Sequence, residues 1–262
     1  MKQRLYAILL LLAAASPALK AETDARVIAE QLRQTMGAEA FDTARVLHFT
    51  WGVVRDGQQV VAYQHSWDRW TGDYRLSGTD RESGLPWLAL FNVNTRQGGV
   101  WLGDEAYSGD ALSEQLERAY GRFINDSYWL LMPWKWLDPG VELTYLGSEE
   151  IAGELCDVVE LSFAGDVGLT SNDRYRGFVS RDSGRMIRWA YVLETEEGES
   201  GAEEPTVWDW TDWQQVEPGV WFALNKVQQQ ADGPAIEIFT RPVELVSQPT
   251  PDQLAGWFEA PR

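Results

Sequence analysis

The sequence is almost devoid of the side chains on which nucleophilic and metal-dependent enzymes rely. In 262 residues it has one cysteine, Cys156, and two histidines, His48 and His65. A lone cysteine excludes an intramolecular disulfide, and a zinc site with three such ligands would have to gather all three of these residues. Their spacing gives no reason to expect that, so neither a metal nor a cofactor is expected. Absent too are the Gly-x-Ser-x-Gly elbow, the phosphate loop, the dinucleotide fingerprint, His-Glu-x-x-His and the calcium loop. Catalysis has no readable candidates, and the chain is expected not to be an enzyme. In strand register His48 falls on the face opposite Phe49 and Trp51, while His65 lies between Tyr63 and Trp67. Both read as hydrogen-bonded structural groups.

Positive charge is also short: 22 Lys and Arg stand against 40 Asp and Glu, for a net charge of −18. A surface of that sign repels polyphosphate backbones and anionic lipids, which argues against a nucleic-acid partner and against electrostatic docking on a membrane. The acidic residues fall mostly at turns and outward strand positions, a solvated surface rather than a catalytic pair. Long apolar runs are missing as well. The run at residues 7–15 is shorter than the ~18 residues a span requires. With Lys2 and Arg4 before it and Leu19-Lys20-Ala21 after it, residues 1–21 read as a cleaved signal peptide. The expectation is an exported, periplasmic protein without stable membrane insertion, in which residues 22–262 form a single domain. Three positive charges leave with the signal peptide, so −18 becomes −21 in the mature chain.

What the chain has in abundance is aromatic: 14 Trp, 9 Tyr and 9 Phe. Rings of this size dominate both cores and binding surfaces. Residues 24–36 carry Val27, Ile28, Leu32 and Met36 at helical spacing, with Gly37 where a C-cap belongs. From residue 44 the period becomes two. Leu47, Phe49, Trp51 and Val53 share one face, Asp56-Gly57 makes a turn, and Val61, Tyr63, His65 and Trp67 follow on the next strand. The alternation recurs up to residue 102 and again from residue 141 to residue 245, giving about ten or eleven antiparallel strands. Between the two series Asp110 is expected to cap a helix with Leu112, Leu116, Ala119 and Phe123 on one face. Residues 194–204, acidic and without apolar period, read as a mobile loop. The fold class expected is mainly β: an antiparallel curved sheet or half-barrel with two or three helices against its concave face.

Residues 125–140 are the most unusual stretch. Asn125 or Asp126 reads as a helix N-cap, Lys135 and Asp138 as a charge pair, and Pro133 and Pro139 forbid a long helix. A short helical turn and then a loop are expected, with Trp129 and Leu130 as a core plug or residues 129–136 as a mobile lid held by side-chain packing, whose rings are buried, bound to a ligand, or both.

The order of elements resembles the LolA-like family of periplasmic lipoprotein and lipid carriers: an opening helix, a strand meander, an inserted helix with a loop, and late strands ending in Phe258-Glu259-Ala260-Pro261. Two blocks look more like an uncharacterised exported family within or beside that group. They are His65-Ser66-Trp67-Asp68-Arg69-Trp70-x-Gly72-x-Tyr74 and Asn125-Asp126-x-Tyr128-Trp129-Leu130-x-x-Pro133-x-Lys135. The resemblance implies a half-barrel with an apolar concave face closed by helices, a cavity suited to acyl chains, and a membrane-protein donor or acceptor as partner. Candidates for contact with the apolar ligand are Phe49, Trp51, Val53, Tyr63, Trp67, Tyr74, Trp129, Leu130, Trp134, Trp189 and Tyr191. A buried acyl chain gains about 0.8 kcal/mol per methylene, so tight binding would need no polar motif. Two other functions compete. One is a carbohydrate-active or glycan-binding protein with Trp208, Trp210 and Trp213 as stacking platforms beside Asp209 or Asp212; the other is a non-enzymatic envelope sensor, a role the resembling group also includes.

Overall fold

A computed structural model describes residues 24–163, 174–192, 205–229 and 236–260. The signal peptide expected at residues 1–21 and the acidic loop expected at 194–204 lie outside the described residues. Asp24 caps helix α1 (Ala25–Thr35), its carboxylate accepting the Arg26 N–H at 2.8 Å, and Ala25, Ile28, Ala29 and Leu32 form the buried stripe. Gly37 follows with φ 95°, a conformation that strains any residue with a Cβ, and turns the chain directly into α2 (Ala38–Thr43). Six residues are too few to show a period, which is why the sequence gives no sign of α2.

The strands are β1 (Val46–Arg55), β2 (Gln58–Asp68), β3 (Asp73–Thr79), β4 (Pro86–Asn92), β5 (Gly98–Leu102), β6 (Glu105–Ala106), β7 (Val141–Ile151), β8 (Glu154–Phe163), β9 (Arg174–Ser180), β10 (Met186–Val192), β11 (Thr206–Glu217), β12 (Val220–Gln229), β13 (Ile236–Phe239) and β14 (Val243–Val246). They form one antiparallel, curved sheet that does not close, the half-barrel expected from the alternation. Its order is β6-β5-β4-β3-β2-β1-β13-β12-β11-β10-β9-β8-β7. Two meanders are thus joined where β1 meets β13, with Gly52 opposite Phe239 and Val53 opposite Ile238. The count exceeds the expected ten or eleven partly because β6 is very short. In addition, the expected strand at 235–245 breaks at Arg241-Pro242, where proline has no N–H for a ladder, and β14 re-pairs with the first half of β1.

Helix α3 (Gly109–Leu131) crosses the inner face and ends in a 3₁₀ turn, Met132–Trp134. Its N-cap is Ser108, with Asp110 in the first turn, rather than Asp110 as expected. A fourth helix, α4 (Pro251–Phe258), is fixed by a capping box between Thr250 and Gln253, and Trp257 packs edge-on against His48 at 4.5 Å on the outer face. Among the described residues no helix is long and apolar enough to cross a membrane. The main core lies between the inner face and α1, α2 and α3, and it draws on both meanders.

The lid expected at 129–136 is corrected. Trp129 and Leu130 are helical, Met132, Pro133 and Trp134 form the 3₁₀ turn, and all five are buried. Asn125-Asp126-Ser127 caps nothing: the helix runs straight through it. Such residues are poor helix formers because they compete for backbone bonds, but here tertiary contacts of Asp126 override propensity. The Lys135–Asp138 pair does form, at 2.5 Å. Beyond the turn Trp136 inserts against Gly177 of β9, where an ideal Cβ would lie 2.1 Å from the indole. Gly177→Ala is therefore expected to cost about 1–3 kcal/mol, as overpacking does. A urea midpoint equal to that of the unaltered chain would show that the ring swings aside freely.

Candidate functional site

Side-chain alternation brings the eight strand candidates to the inner face, Trp129, Leu130 and Trp134 meet them from α3 and the 3₁₀ turn, and all eleven join one core. Phe49, Trp51, Val53, Tyr63, Trp67 and Tyr74 lie on β1 to β3 under the middle of α3. Trp67 and Tyr74 meet Phe123 of that helix at 5.2 and 4.9 Å between ring centres. Trp129 and Leu130, near the C-terminal end of α3, face the second meander: Trp129 packs against Trp189 at 5.0 Å and Trp208 at 4.8 Å, and Tyr191 packs on Trp189. Trp134 stands apart, between Phe41 of α2 and Phe222 of β12. The eleven therefore share a core but form three groups. They are filled in by one another and by the helices, so a ligand reaches them only when rings or α3 give way.

A buried polar network fastens α3 to the sheet. Asp126, with no exposed surface, accepts from Asn125 Nδ2 at 2.7 Å and from Arg122 at 3.3 Å, one helical turn back. Its second oxygen lies 3.4 Å from Nε2 of His65 on β2. The other ring nitrogen of His65 pairs with the Tyr74 hydroxyl at 2.7 Å, and Phe49 stacks flat on the imidazole at 4.3 Å. Burial pulls His65 below its ordinary value even though Asp126 favours its charged form, and burial pushes the Tyr74 phenol well up. Arg122 lies over the rings of Trp51 and Tyr63, at 5.2 and 4.6 Å.

The other polar group of the interior is Lys226 of β12. Its ammonium nitrogen donates to the Ala223 carbonyl and the Thr240 hydroxyl, each at 2.7 Å, and sits 4.8 Å from the centre of the Trp210 ring. Burial holds this amine well below the usual lysine range, with Arg241 adding to the effect. Trp210 faces Lys226 across the β11–β12 ladder, and Trp189 faces Trp208 across β10–β11. The indole N–H groups of Trp51, Trp189, Trp208 and Trp210 are buried with no hydrogen-bond partner. A cleft of about 730 Å³ opens elsewhere, on the outer side of β2 to β4 among Gln59, Gln64, Arg75, Asp80, Arg81 and Pro86, and none of the eleven candidates lines it.

No protein-family model matches this sequence, and a search of curated proteins finds no match. Solved structures do match. A LolA superfamily protein from Nitrosomonas europaea superposes with a TM-score of 0.52 at 12% identity, over 89% of this chain and 97% of that one. The fold is similar to that of this LolA superfamily protein. A DUF1329 family protein from Desulfovibrio piger aligns over 90% of this chain and 97% of its own, at 13% identity and a TM-score of 0.48.

In the LolA-like half-barrel the two sequence blocks have visible work. In the first, Asp68 accepts two hydrogen bonds from Arg45 Nε and Nη2 and the backbone N–H groups of Trp70 and Thr71. Arg69 reaches the carbonyls of Phe41 and Ala44, at 2.7 and 2.9 Å, and covers the Phe41 ring, pinning α2 to the end of β2. The second block supplies Asp126 and Trp129. The glycan-platform arrangement is corrected: Trp208 and Trp210 face the core rather than solvent, and Asp209 is paired with Arg188 at 2.7 Å. A stacking platform needs an exposed ring face, which burial removes. The rare nucleophilic and ligating residues are also kept apart. His48 is on the outer face beside Ser66, His65 is inside, and Cys156 is a buried thiol in a satellite cluster, pushed up to about 11 by burial. Lys226 and Arg122 escaped the sequence reading and Asp126 entered it only as a cap, although the alternation Phe222, Leu224, Lys226 already places that lysine on an apolar face.

Proposed function

We propose that this protein is a non-enzymatic, periplasmic binding protein that takes a lipid or acyl chain between α3 and the inner face of its half-barrel, for exchange with a membrane-protein donor or acceptor. The observation that supports this most is the gathering of aromatic side chains on one face of an open sheet, covered by a helix rather than by a second sheet. A β-sandwich would bury such a face permanently against another sheet. A helix fastened at a few points can lift. The LolA-like fold and the resemblance to lipid carriers support the same reading, as does the strongly acidic exterior, which keeps the body off anionic membranes while cargo is held inside.

Native mass spectrometry of the freshly purified protein should show a copurifying lipid, and a fluorescent fatty acid should bind the delipidated form. Trp129→Ala is expected to weaken that binding about tenfold, the effect of one lost aromatic contact, while far-ultraviolet circular dichroism still reports the sheet. Normal binding by the folded variant would remove Trp129 from the contact set. A wild-type protein that neither carries nor takes up lipid would sink the proposal.

A further inference from the structure

An ammonium group away from water is costly without a counter-ion, so fully buried lysines are rare. Lys226 has no exposed surface, and among the described residues no carboxylate pairs with it. The charged group acting on it is another cation, Arg241. An ammonium has three N–H donors, and the Ala223 carbonyl and Thr240 hydroxyl use two of them. The unpaired polar groups of the neighbouring rings are donors as well: the indole N–H of Trp210, across the ladder from Lys226, and those of Trp208 and Trp189 on the adjoining strands. Leaving such donors buried and unmade costs more than a satisfied bond returns. The region is therefore one-sided. It offers an amine whose charge nothing balances, beside spare donors, and what would complete it is an anionic group that only accepts and so favours the protonated amine.

We propose that Lys226, with the adjacent indoles of Trp210, Trp208 and Trp189, is the head-group subsite for a long-chain carboxylate whose hydrocarbon tail lies along the inner face beneath α3. This rests on the reading that the half-barrel takes a lipid, and it names which kind. A carboxylate brings two oxygens with about four lone-pair sites, enough for the third ammonium N–H and for indoles that turn toward it. Its charge supplies the counter-ion the amine lacks. The Trp210 face under the amine adds to the attraction for the charged form that the carboxylate favours. An amine head group would meet only donors and be refused. A methyl ester would accept hydrogen bonds without balancing the charge. Trp129, seated on Trp189 and Trp208, stands at the approach from α3.

The test uses the mature full-length protein, delipidated, with hexadecanoic acid, its methyl ester and hexadecylamine, each below its critical micelle concentration, followed by tryptophan fluorescence and calorimetry. The acid should bind about tenfold or more tighter than the ester, the worth of a charge-assisted hydrogen bond, and the amine weakest. In Lys226→Met, checked for folding by circular dichroism, acid and ester should bind alike. Equal affinity for acid and ester in the unaltered protein overturns the head-group subsite and leaves the lipid reading standing. So does a folded Lys226→Met that still prefers the acid. If neither acid nor ester binds, the lipid reading fails and this proposal fails with it. The acid–ester comparison needs no variant, so a misfolded Lys226→Met would not shield the idea.

Discussion

Asp126→Ala should lower the stability of the fold by about 1–3 kcal/mol, the cost of leaving buried polar partners unmade. The carboxylate is wholly buried between α3 and β2 and is the hub for Asn125, Arg122 and His65. Without it, His65 Nε2 faces an apolar gap. Arg122 keeps a partly exposed side chain and relieves some of its loss by turning outward, which places the value toward the lower end of that range. The pH dependence has a definite sign. Burial holds the folded His65 and His48 below 6.5, so as pH falls below about 6.5 the unfolded chain takes up protons that the folded one refuses. Stability is fully present above that pH and is lost as the pH falls through the window beneath it. In Asp126→Ala the groups that favour the charged imidazole are gone and burial and Arg122 remain, so the folded value drops further and the acid loss extends to lower pH. Urea unfolding of both proteins between pH 5 and 8 measures this. A cost under about 1 kcal/mol, the size of a surface pair, would mean that α3 is held by its apolar contacts alone.

The same network shows where the sequence was readable and where it was not. Strand alternation grouped Phe49 with Trp51 and Tyr63 with Trp67 correctly because a side chain in a strand has only two directions. It could not say which direction is inward, since both faces of β1 carry apolar or aromatic contacts: α3 covers one, and Trp257 of α4 touches the other. Asn125 or Asp126 reads as a cap, but the local preference is overruled by a partner of Asp126, His65, that lies 61 positions earlier in the chain. Pro133 looked like a helix breaker and instead opens a 3₁₀ turn, where its missing N–H is not needed. Trp208 and Trp210 looked like exposed platforms, and their burial depends on Trp129 and Trp189, which come from other elements. Lys226 was hidden by its type. Parity put it among Phe222 and Leu224, but a lysine reads as surface unless the alternation is taken at its word.

Lys226→Met should stabilise the protein at neutral pH by about 1–3 kcal/mol, because it removes an amine that burial keeps from the proton it carries when unfolded. The folded amine titrates well below 10.5 because of burial, whereas the unfolded amine keeps its proton up to about 10.5. Throughout the interval between those values the unfolded chain binds more protons, so this residue opposes folding and the stability of the unaltered protein climbs with pH. The variant has no such slope. Its advantage should be largest toward the acid side of the interval and fade as pH approaches 10.5. The range 7.5 to 9.5 isolates the effect: it lies above the histidine window and below that of Tyr74, whose burial makes stability fall only beyond pH 10. Cys156, pushed up to about 11, is common to both proteins and cancels in the difference. Parallel stability curves would show that Lys226 titrates alike folded and unfolded, and a less stable variant would show that its bonds to Ala223 and Thr240 outweigh its burial. If the variant is the more stable, the lysine contributes nothing to folding that methionine would not do better.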